Sequence, residues 1–157
     1  MKKNRGIALI EIVIGAAIIS TGILAASSAY SNYVSFAFAN QKNVQAAFLL
    51  EEGLEVVSFL RDKGWTANIS PLSTTTTYYL AFGSTDWATT TSPTYVDGEF
   101  LRSITVADVR RDGTDKISAS GTYDPNIKKI TASVSYWQGH ATTTRSISTY
   151  VSNLYNN

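Results

Sequence analysis

The sequence predicts an α+β protein, with one long N-terminal helix packed through its second half on a small antiparallel β-sheet. Three observations lead there. Residues 7–30 form an apolar run with one charged side chain, Glu11. Residues 31–63 continue without proline and become amphipathic at helical spacing. Beyond Trp65 the composition turns to Ser, Thr, Tyr and Val, with apolar residues alternating at period two.

The chain has 157 residues, enough for one domain with a substantial core. Cysteine is absent, which excludes a disulfide framework, a thiolate zinc site and a thiol nucleophile. The formal net charge is +1, yet Lys2, Lys3 and Arg5 lie in the first five residues. Taking these 3 from the 13 basic side chains leaves 10 against 12 acidic ones, a balance of −2. The body of the chain therefore lacks the cationic excess of a dedicated nucleic-acid binder.

Residues 7–30 would run roughly 36 Å as a helix, enough to cross a hydrocarbon core of about 30 Å. Basic residues precede the span and the next charge after Glu11 is Lys42. This asymmetry keeps the N-terminus cytoplasmic and sends the remainder across the membrane. Glu11 is the anomaly, because an acid in hydrocarbon costs about 2–3 kcal/mol or more and marks a functional position. In a chain beginning at Ile7, Glu11 would lie in the first helical turn, where the dipole favours an anion. The new α-amine of a neighbouring copy could pair with it. Gly15 and Gly22, seven residues apart on one face, would let helices approach closely.

Residues 1–30 also fit a secretory signal, with Ile12 to Ala26 as its apolar region and Ser27-Ser28-Ala29 as its cleavage site. A simple signal anchor fits too. The acid inside the apolar run and the continuing helix argue against the secretory signal, and in the anchor reading Glu11 is incidental.

In residues 31–63, Ala46, Ala47, Leu50, Leu54, Val57 and Leu60 form one apolar stripe, with Glu51, Glu52, Glu55 and Asp62 largely off it. Arg61-Asp62-Lys63 leads into Gly64, a C-terminal cap. A helix from residue 7 to about 63 would be roughly 85 Å long. Trp65 then seats the following loop on the sheet.

The remainder, 64–157, reads as the sheet domain. Segments 73–77 and 89–92, punctuated by Pro71 and Pro93, are loops or short edge strands, and 78–82 is a strand. Three clearer strands follow. Residues 100–110 place Phe100, Ile104 and Val106 on one side, and 129–137 alternate Ile130, Ala132, Val134 and Tyr136. Residues 142–154 place Ile147, Thr149 and Val151 together. Turn signals at Asp112-Gly113 and Gln138-Gly139 predict an antiparallel meander.

No phosphate-binding glycine loop or nucleophile elbow occurs, and the expectation is a protein that is not an enzyme and needs no cofactor. The single histidine, His140, reads as a solvated turn residue. Asp108, Asp112, Asp115 and Asp124 cluster without EF-hand spacing, the first three being weak calcium candidates and the whole more simply an acidic hairpin. Arg110, Arg111, Lys116, Lys128 and Lys129, with Tyr123 and Tyr136, form a candidate DNA contact diluted by those aspartates. Asn68-Ile69-Ser70 fits a glycosylation acceptor followed by Pro71.

Gly6-Ile7-Ala8-Leu9-Ile10-Glu11, behind a basic leader and ahead of an apolar run, resembles the type IV prepilin signal. The resemblance implies a leader 1–6, cleaved between Gly6 and Ile7 by a membrane prepilin peptidase that also N-methylates Ile7. It implies Glu11 as the assembly acid, 7–30 as the membrane and filament-core helix, 31–63 as its amphipathic continuation and 64–157 as an exposed domain. The family most often has phenylalanine where Ile7 stands, and a proline about three turns into the helix, where this chain has none. The block Glu52-Gly53-Leu54-Glu55-Val56-Val57, Arg61-Asp62 and Trp65 is similar to a stretch in prepilin-like proteins of small-genome bacteria. The implied function is a structural subunit of a type IV pilus or related filament, serving adhesion or motility. Its implied partners are copies of itself or co-pilins, the peptidase, an inner-membrane assembly platform, and lipid before assembly. A pseudopilin of a secretion or DNA-uptake machine, and an anchored or secreted binding domain that never polymerises, stay open.

Overall fold

The computed structural model describes residues 5–139 and 141–154. Helix α1 spans Arg5–Lys63, and the short α2 spans Trp65–Asn68. Among the described residues seven strands follow: β1 (Thr77–Phe82), β2 (Trp87–Thr90), β3 (Tyr95–Val96), β4 (Phe100–Arg111), β5 (Ile117–Ser118), β6 (Thr122–Gln138) and β7 (Ala141–Ser152). The chain divides into two compact units, Met1–Gln41 and Lys42–Asn157. The first consists, in its described part, of α1 alone.

In the second unit, α1 ends where Gly64 donates its N–H to the carbonyls of Leu60 and Arg61. The helical stripe is largely buried on the sheet: Ala46, Leu50, Val57 and Leu60 are buried and Leu54 is half-buried. Ala47 is instead exposed, and Val56 joins the core in its place. Gly53 is buried against the sheet. A Cβ there would stand 3.4 Å from Arg102 Cδ and 3.6 Å from Ala132 Cβ, in ordinary van der Waals contact with both. Trp65 is 3% exposed and closes the end of the core with Ile69 and Leu72.

The sheet is antiparallel throughout, in the order β2-β1-β4-β6-β7, with β3 and β5 pairing β4. The meander expectation holds for β4, β6 and β7. Ahead of these, β2 folds back outside β1, and β4 takes β1's other side. Segment 89–92 accordingly contributes the end of an edge strand. β6 is longer than expected because β4 continues past a bulge at Asp108/Val109 and pairs Thr122–Asp124. Gly121 permits this corner: it has φ +136°, and a Cβ would stand 2.1 Å from the Arg111 carbonyl oxygen.

The two faces differ sharply. Phe100, Ile104, Val106, Ile130, Ala132, Val134 and Tyr136 point at the helix and are buried. The opposite face carries Ser103 and Thr105 on β4, Thr131, Ser133 and Ser135 on β6, and Thr144, Ser146 and Ser148 on β7, aligned across the strands. Hydroxyl pairs bridge them at 2.8 Å, Thr131 to Ser148 and Ser135 to Thr144.

Candidate membrane and assembly segment

Along residues 8–38 the helix offers its apolar side chains outward. Leu9, Ile12, Ile18, Leu24, Tyr33 and Phe36 stand 65–77% exposed. A window of 18 residues reaches a mean hydropathy of 2.2, with none of it buried. This is a helix that could span a membrane by length and composition. Its hydroxyls suit such a medium: Ser20 donates to the Ala16 carbonyl at 2.7 Å, and Thr21 to those of Ala17 and Ile18. The hydroxyl donors of Ser20 and Thr21 are thereby satisfied within their own helix.

Gly6 and Ile7 lie in the first turns of α1, and Glu11 is exposed on the same helix, four residues after Ile7. No described side chain pairs with Glu11. Gly15 and Gly22 face open space, with nothing within 4 Å of a Cβ built on either. Past the apolar run come Tyr30, Tyr33, Phe36 and Phe38, 63–77% exposed, before the first cation at Lys42. Aromatic residues at the end of a span match the water interface of a bilayer. These four aromatics were legible in the sequence by their position ahead of Lys42.

The charged residues beyond β4 take separate partners. Lys128, on the helix-facing side and largely buried, donates to Asp108 at 2.7 Å and to the Tyr123 hydroxyl at 3.3 Å. Burial opposes its charge, but these two partners outweigh burial and raise its pKa. Arg111 Nε donates to Asp124 at 2.7 Å. That bond lowers the Asp124 pKa, with the Asn126 N–H acting in the same sense. Asp112 caps its own turn, accepting from the Thr114 hydroxyl, the Lys116 N–H and the Thr114 N–H, and its pKa is lowered in that order of cause. Asp115 lies 3.5 Å from Arg111. Among the described residues no group of three or more His, Cys, Asp or Glu could hold a metal ion. The calcium candidates Asp108, Asp112 and Asp115 thus have separate structural partners. In the candidate DNA patch, Arg111 and Lys128 are committed to carboxylates. The Asn68 side-chain amide donates to the Gly64 carbonyl at 3.0 Å, so its nitrogen is engaged in a helical turn. His140 lies outside the described residues.

Arg102 was missed by sequence reasoning. It sits between Phe100 and Ile104 on the helix-facing side, 3% exposed, paired with Glu52 and 5.1 Å from the Trp87 ring centroid. Strand parity was the available signal, since residue 102 falls in the inward series. Comparison with known protein families, curated proteins and solved structures gives no match.

Proposed function

We propose that this chain is a subunit of a type IV pilus or related filament, cut between Gly6 and Ile7, held in the membrane by α1 and later assembled through it. The observation that carries the reading is the bare apolar surface of residues 8–38, interrupted near its start by Glu11. Burying each large aliphatic or aromatic side chain is worth about 1.5–3 kcal/mol. Such a surface needs lipid or neighbouring helices around it. A plain anchor needs only the apolar stretch, whereas assembly gives the acid a use. Cleavage creates the α-amine that could pair with Glu11 of a neighbour, offsetting the desolvation of both charges. The basic leader orients the chain with its N-terminus inside and the sheet unit outside.

Intact mass and N-terminal sequencing of the native protein test the processing step. The expected mature chain begins with N-methylated Ile7. A chain retaining Met1, or one starting near residue 30, would overturn the reading.

A further inference from the structure

The last strand of the sheet is an unguarded edge. β7 pairs β6 residue for residue from Ala141 to Ser152 without a bulge. Among the described residues nothing pairs with its other side. Natural edge strands are commonly short, bulged, or interrupted by proline or lysine. The opposite edge follows that pattern, since β2 has four residues. β7 has twelve, with neither proline nor lysine. Its one charged side chain, Arg145, donates to Asn43 Oδ1 at 3.3 Å. Beside the strand runs an open groove lined by Asn43, Ala47, Leu50, Arg145, Ser146 and Ile147. Ile147 remains 43% exposed there.

We propose that β7 is a self-association edge: two copies of this chain join their β7 strands antiparallel about a two-fold axis at Ile147, making one continuous sheet. A row of unpaired backbone N–H and C=O groups is complementary to another strand. The charge pattern selects a second copy in antiparallel sense. With Ile147 opposite its own mate, Arg145 falls opposite Thr149, Thr143 opposite Val151, and Ser146 opposite Ser148. The two Arg145 residues then stand four positions out of register, roughly 13 Å apart and beyond a Debye length of about 8 Å. A parallel, in-register pairing would set them side by side, which is unfavourable. On the outer face the antiparallel register extends the hydroxyl rows already joining β6 to β7. The groove receives Ile147 of each copy. Every residue used belongs to the Lys42–Asn157 unit, so the proposal is independent of leader cleavage and filament assembly.

The chain contains no cysteine, so introduced cysteines report without background. Single variants Arg145→Cys, Ile147→Cys and Thr149→Cys, and the outer-face pair Ser146→Cys and Ser148→Cys, are made in the full chain in detergent micelles. Ser103→Cys, in mid-sheet, is the control for contacts brought about by the apolar helices. On mild oxidation Ile147→Cys should form covalent dimer about tenfold faster than the control, because directly opposed Cβ atoms lie near disulfide distance. Arg145→Cys should cross-link when mixed with Thr149→Cys, and Ser146→Cys when mixed with Ser148→Cys, but none efficiently with itself. Equal self-linking at 145, 147 and 149 would mean parallel or nonspecific contact and overturn the proposal. Rates at the control level for both the inner and outer sets, in variants that keep the parent melting temperature, would also overturn it.

Discussion

Arg102 is the residue on which the sheet unit departs most from a plain apolar core. Its guanidinium is buried while its partner Glu52 keeps a side chain 42% exposed, and its Nε has no hydrogen-bond partner. Removing the carboxylate alone leaves a buried cation uncompensated, which costs more than replacing both groups with neutral ones. We expect Glu52→Gln to destabilise by about 1–3 kcal/mol in urea unfolding followed by tryptophan fluorescence. Adding Arg102→Met to it should recover part of that loss. Strictly additive losses would show that the pair is not coupled. The Arg102 stem packs beside Gly53 of α1, its Cδ 3.4 Å from where a Cβ would stand.

At the scale of elements, the β4–β6 extension past the bulge is fastened by charge. Arg111 joins Asp124 across the ladder, and the Asp124 pKa is held below the ordinary carboxylate value. A depressed folded-state pKa adds stability that is present above the unfolded value and lost as pH falls through the folded one. Asp124→Asn should therefore lower Tm at pH 7, on the order of 1–5 °C for a partly exposed pair. The two melting temperatures should begin to approach each other as pH falls below about 4, and meet only once pH has fallen through the depressed folded-state pKa. A Tm difference unchanged from pH 7 to pH 2 would contradict this. The elements themselves were legible wherever periodicity had a face to act on. The α1 stripe at Leu50, Val57 and Leu60 and the alternations of β4 and β6 identified buried residues directly. Strand β7 was found, yet its inward side chains are largely uncovered at Ile147, because alternation reports a face and not whether anything covers it. The return of β2 outside β1 left no mark, since pairing order is decided by long-range contacts. The inward cations Arg102 and Lys128 were hidden by counting apolar residues alone.

For the whole molecule, the sequence reveals most about the N-terminal part, whose chemistry is compositional, and least about the sheet unit's task, which would depend on surface groups brought together from distant strands. If the filament reading holds, Glu11→Ala should leave cleavage at Gly6 intact while filament yield falls about tenfold or more, because the acid's role lies in assembly. Unchanged yield of sheared filaments would contradict the charge-pairing argument. Within the sheet unit, α1 is tied down at intervals along its length. Lys42 pairs with Glu99 and donates to the Trp137 carbonyl, Asn43 accepts from the Tyr136 hydroxyl, Glu52 holds Arg102, and Lys63 meets Asp86. These fastenings are distributed along the helix from its entry to its last turn. A pull directed along that axis loads them side by side, in shear, together with the apolar contact between them. The helix is thus seated like a spar riveted along a plate: tension is shared among its fastenings, where a peeling force would meet them one at a time.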